Sequence, residues 1–111
     1  MPETELSRLK IVFLGTPDFA ATVLRSLLTW PKARIAGVFT QPDRPVGRGK
    51  KIRPSAVKTL AKDAGLPVFQ PRNMNEPEAI QQLQALEPDV LVVAAFGMLL
   101  SSRVLDLAQF G

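Results

Sequence analysis

The chain has 111 residues, with fourteen Lys and Arg against ten Asp and Glu, a net charge of +4, no cysteine and no histidine. Its length suits one domain, and its 46% apolar and 22% charged residues are ordinary for a globular chain. The absence of cysteine excludes a disulfide frame and a thiolate metal centre, and the absence of histidine removes the side chain most used for proton transfer near pH 7.

Met1–Leu9 is polar and expected to fray. The first ten residues carry Glu3 and Glu5 among two cations, and no apolar signal region follows. No run in the chain reaches the roughly eighteen apolar residues of a membrane helix. A cytoplasmic protein without a membrane partner is the expectation.

Lys10–Leu14 is short, apolar and rich in β-branched residues, as in a buried strand. Gly15 ends it. Thr16 is then expected to cap a helix, with Pro17 at its first position and Asp18 complementing the positive end. Phe19, Val23, Leu24, Leu27 and Leu28 supply its apolar stripe, and Pro31 stops it. A second strand is expected over Ala33–Thr40.

Thr40–Ser55 carries too much Pro and Gly for a helix or a central strand. Six cations (Arg44, Arg48, Lys50, Lys51, Arg53 and Lys58) lie from Arg44 to Lys58 without an acid, and the remaining eight face all ten acids. The positive charge of the chain is therefore concentrated in one flexible-looking, hairpin-like arm. Ser55 is expected to cap a second helix with Val57, Leu60, Ala61 and Ala64 on one face, ended by Gly65.

Pro67–Phe69 reads as a very short third strand. Arg72–Asn75 reads as a turn, with Asn75 capping a third helix whose stripe is Ile80, Leu83 and Leu86. Val90–Phe96 is the longest apolar run, the pattern of a strand buried on both faces. Gly97 breaks it, and Ser101 or Ser102 can cap a last helix through Val104, Leu105 and Leu107.

Strand and helix thus alternate, which implies an α/β, Rossmann-like, open and mostly parallel sheet. With strand order 3-2-1-4 the connections reverse between the first and fourth strands, and ligands bind at such a point outside the carboxyl ends. The loops there are Gly15–Phe19 and Phe96–Leu100. The fourth strand would stand uncovered at one flank, an edge that proteins usually protect and a route to self-association.

The Gly15–Phe19 stretch can present backbone N–H groups to an anion, or form a plain strand-to-helix turn, and Gly15, Thr16 and Pro17 are expected there at a substrate or folate site. No G-x-G-x-x-G and no G-x-x-x-x-G-K-S/T motif is present. Asp18, Asp43 and Asp89 are the acids nearest the strand ends, and none has a visible partner for general-base work. Asp43, in a Gln-Pro-Asp-Arg-Pro turn, is expected to satisfy local backbone donors. Phe96, Gly97, Met98, Leu99 and Leu100 can wall a slot for a flat heterocycle or form ordinary core. The cationic arm suits phosphate, through Arg forks and Lys point charges, or is a solvated surface charge run, and it has no aromatic residue for base stacking.

Ile11–Ala20, Gln41–Lys51, Pro54–Ser55 and Pro67–Pro71 together resemble the N-terminal part of the methionyl-tRNA formyltransferase family, and the likeness runs from about Lys10 to Gly111. Its most specific piece is Gln-Pro-Asp-Arg-Pro-x-Gly-Arg-Gly-Lys-Lys; formyltransferases for other substrates share the fold without that loop. The resemblance implies transfer of a formyl group from 10-formyltetrahydrofolate to the methionine amino group of initiator tRNA, without a metal. It implies that Arg48 is the chief loop arginine at the tRNA acceptor end, with Arg44, Lys50 and Lys51 on neighbouring phosphates. It also implies a folate pocket along Phe96–Leu100, with Phe96 where many members have Tyr. The family's catalytic Asn, His and Asp would lie beyond Gly111. The chain is therefore expected to be part of a formyltransferase domain, lacking the catalytic half and the C-terminal β-barrel domain, and inactive alone. Two alternatives stand beside this reading: a non-catalytic RNA-binding module, and a formyltransferase for a small amine.

Overall fold

A computed structural model describes residues 9–46, 51–98 and 100–108. Within it the strand β1 (Leu9–Gly15) is central, pairing in parallel with β2 (Ala33–Phe39) on one side and with β6 (Val90–Ala94) on the other. The two-residue strand β5 (Val68–Phe69) adds in parallel to β2. The sheet order is β5-β2-β1-β6, the expected 3-2-1-4 when its four strands are counted along the chain.

Alternation along β1 divides the core. Ile11 and Phe13 face the helices α1 (Asp18–Leu28) and α2 (Ala56–Asp63), against Ala20, Ala21, Leu24, Val57 and Ala61. Val12 and Leu14 face the other way, toward α3 (Pro77–Ala85) and α4 (Ser102–Leu105), against Met74, Ile80, Leu83 and Val104. Successive strand side chains point to opposite faces, so one apolar run fills both layers. Each of these four β1 side chains is at most 2% exposed, and full burial of such a group contributes roughly 1.5–3 kcal/mol.

Several local expectations are corrected. The N-cap of α1 is Pro17, in extended backbone without a side-chain capping bond, because the Thr16 hydroxyl is bonded to the Phe96 carbonyl. Phe19 is 68% exposed rather than part of the buried stripe. Glu76, not Asn75, precedes α3 as its N-cap, and the Asn75 N–H is held by the Asn73 side chain. The cationic segment contains an antiparallel ribbon of β3 (Arg44–Val46) and β4 (Lys51–Arg53). The Val90–Phe96 run is not buried on both faces, because β6 is an edge strand among the described residues, as expected of the fourth strand, and Val93 on it is 45% exposed. The remaining caps match: Ser55 accepts from the Lys58 N–H, and Ser101 from the Val104 N–H.

Candidate functional site at the carboxyl end of the sheet

The carboxyl ends of β1, β2 and β6 meet at one carbonyl. Phe96 O accepts from the Thr16 hydroxyl at 3.0 Å and from the buried Gln41 side-chain amide at 3.0 Å. Thr16 Oγ1 in turn accepts from the Gln41 N–H at 3.3 Å. Just past β6 the backbone enters the left-handed region at Ala95 (φ 52°) and again at Gly97 (φ 82°). A non-glycine residue there stores about 1–3 kcal/mol of strain, which the surrounding bonds must hold. A Cβ on Gly97 would collide with the Gln41 side chain. The turn is therefore built around Gln41.

Gly15 is buried, and a Cβ on it would lie 2.7 Å from the Ala20 Cβ and 2.8 Å from the Ala94 carbonyl. Its role is close packing of α1 on the sheet, and it lines no described cleft. Thr16 and Pro17 do line one, of about 240 Å³, together with Pro42, Arg53, Pro54, Ser55 and Ala56. Gly97 and Met98 line a different one, of about 300 Å³, with Arg72, Asn73 and Asn75. The residues expected at a folate pocket thus fall on two separate clefts. The Phe96 ring is only 2% exposed and belongs to the core, with Leu100 packed against the same cluster. Leu99 lies outside the described residues.

The ribbon is rooted in a polar network. Thr40, fully buried at the end of β2, shares a 2.7 Å hydrogen bond with Ser55 Oγ. Both oxygens of Asp43 accept from Lys58 Nζ at 3.1 Å, and Oδ1 also accepts from the Gln70 amide at 2.7 Å. The same Gln70 amide donates to the Gln41 carbonyl at 3.2 Å. The Gln70 hydrogen bond, then that of Lys58, holds the Asp43 carboxyl below the usual carboxylate range. Among the described residues Asp43 therefore serves distant side chains rather than local backbone donors. A carboxylate so engaged is a poor proton acceptor near pH 7.

This also changes the charge count. Lys58, on α2, is committed to Asp43, so of the six cations it is not one that faces outward as a lone charge. Arg53 is exposed. Arg44 and Lys51 stand in β3 and β4, and Arg48 and Lys50 lie outside the described residues. Asp18 is exposed in the first turn of α1. Asp89 stands at the opposite end of the sheet, where its carboxylate accepts from the Lys10 N–H at 2.8 Å. Among the described residues no group of three His, Cys, Asp or Glu side chains gathers to hold a metal ion, and no helix is long and apolar enough to cross a membrane.

Sequence reasoning missed Gln41, Gln70 and the cleft residues Arg72 and Asn73. Gln41 and Gln70 sit in segments that carry the family likeness, but their partners are 55 and 27 residues away. No local periodicity reports such contacts.

A family model described as formyl transferase matches residues 9–111. The chain is 54% identical over 107 residues to the methionyl-tRNA formyltransferase of Nitratidesulfovibrio vulgaris strain DP4, covering 96% of this chain and 32% of that protein. It is 55% identical over 100 residues to the enzyme of that name from Desulfovibrio desulfuricans, covering 90% and 30%. The corresponding protein of Kosmotoga olearia is 48% identical over 103 residues, covering 93% and 33%. The chain spans about a third of the length of these relatives. It belongs to the formyl transferase family.

Proposed function

We propose that the chain is the N-terminal part of a methionyl-tRNA formyltransferase, which moves a formyl group from 10-formyltetrahydrofolate to the methionine amino group of initiator tRNA. The observation that carries this reading is the 54% identity, across 96% of the chain, to a relative of that name. The clefts at the carboxyl ends and the cationic ribbon beside them support it physically. In this reading Arg44, Arg48, Lys50 and Lys51 grip the acceptor end through phosphate contacts. Charge gives affinity there, and the ease with which the end base pair opens gives discrimination.

The folate donor is assigned to the surface formed by Thr16 and Pro17 on one side and Gly97 and Met98 on the other. Gly15, Phe96 and Leu100 shape the loops behind it, and Leu99 is assigned to the same site by the resemblance alone. Formyl transfer needs a neutral amine to attack the formyl carbon, and donors for the tetrahedral oxyanion that forms. The engaged Asp43 is no base for that amine, and the chain has no histidine. We assign those groups to the part of the relatives that this chain does not match, so these 111 residues are expected to bind without turning over.

The test is a titration of the chain with an initiator-tRNA acceptor minihelix over a range of salt. Binding should weaken with a log–log slope of roughly −0.7 to −0.9 per phosphate contact, and Arg48→Ala should make the slope shallower. Binding that ignores salt, or formyl transfer by the chain unaided, would sink the reading.

A further inference from the structure

One root of the ribbon follows β2 and the other enters α2, and beside the Thr40–Ser55 hydrogen bond a carboxylate joins them. Asp43 immediately precedes β3, and Lys58 lies on α2, just past β4. Their contact closes the ribbon at its base with two 3.1 Å bonds. Gln70, following β5, reaches in from the sheet and holds both the Asp43 carboxylate and the Gln41 backbone. A two-stranded ribbon alone is marginally stable and free to swing about its roots. Here its base is tied to a helix and to the sheet through side chains from three separate segments.

We propose that Asp43, Lys58 and Gln70 form a latch that sets the direction of the cationic ribbon, making them positioning residues for RNA. The latch itself follows from the geometry, and its consequence for RNA rests on the function proposed above. Lys58 carries positive charge at the ribbon but spends it on Asp43, so its contribution to RNA affinity comes through orientation. A ribbon whose strands are already paired and tied at the base loses less freedom on binding.

The chain has no cysteine of its own, so spin labels can be placed at Ile52→Cys on the ribbon and Gln81→Cys on α3, both exposed positions. Electron–electron resonance should give one narrow distance distribution in the parent. Lys58→Met with Gln70→Leu should shift or broaden it, and Lys58→Arg should restore it. Circular dichroism shows whether each variant is folded; should the double variant not fold, Lys58→Met alone carries the same readouts. Minihelix affinity should fall about three- to tenfold as the ribbon loses preorganisation, and should recover in Lys58→Arg. An unchanged distance distribution overturns the latch. A changed distribution with unchanged affinity overturns its role in positioning. If the parent binds no minihelix, the RNA reading of the ribbon and the positioning role fall with it, and the distances still decide the latch.

Discussion

The side-chain amide of Gln41 donates to the carbonyl of Phe96 at 3.0 Å, joining the loop after β2 to the loop after β6 across 55 residues of chain. Each partner adjoins a cleft-lining residue in the chain, Gln41 next to Pro42 and Phe96 next to Gly97, and the contact holds the left-handed turn at Gly97. Its removal separates two costs that are otherwise mixed.

Gly97→Ala should destabilise the chain by about 2–4 kcal/mol, combining left-handed strain with displacement of a buried hydrogen-bonded side chain. In a Gln41→Ala background the collision is gone, and the same substitution should cost only about 1–2 kcal/mol. Urea unfolding of the four proteins measures both values. Equal costs in the two backgrounds would show that the turn does not depend on Gln41.

The Asp43 carboxyl should titrate below the value of about 3.9 usual for an exposed aspartate. Gln70 is the first cause and Lys58 the second, with Lys62 adding a weaker field. Because the folded-state value is the lower one, the stabilisation from Asp43 is complete above the unfolded-state value and disappears as pH falls through the folded one. Carbon-detected NMR of the side chain should show the midpoint rising in Gln70→Leu and in Lys58→Met. A midpoint unmoved by both would contradict the contacts.

Ser55→Ala removes both the cap of α2 and the partner of the buried Thr40 hydroxyl. Loss of a cap costs roughly 0.5–2 kcal/mol, and an unpaired buried hydroxyl about 1–3 kcal/mol. Thr40→Val should be milder, near 1 kcal/mol. The double variant should cost less than the two singles added together, because the hydroxyl that Ser55→Ala strands is no longer there. Denaturant midpoints measure this, and strict additivity would argue against the bond.

Alanine at Arg44, Arg48, Lys50 or Lys51 should each lower minihelix affinity, and each lost phosphate contact should make the salt slope shallower by about 0.7–0.9. Lys58→Met should reduce affinity while leaving the slope nearly intact, since that ammonium already faces Asp43. Parallel titrations at several salt concentrations distinguish the two behaviours. A slope change at Lys58 equal to that at Arg48 would mean that Lys58 touches phosphate directly.

The alternation of four parallel strands with helices and the cap at Ser55 were legible in the residues alone, Ser101 was one of two candidates for the last cap, and the order 3-2-1-4 was one topology that this alternation allows. They depend on period, composition and hydrogen bonds within a few positions, which a linear string displays directly. What Thr16, Gln41, Asp43, Lys58, Gln70 and Phe96 do was decided only when strands far apart in the chain ended side by side. Thr16 illustrates the difference. Its type and place next to Pro17 read as a helix cap, yet its hydroxyl goes to a carbonyl 80 residues away. A polar side chain takes the partner that burial brings to it, and that partner belongs to the folded sheet rather than to its neighbours in sequence.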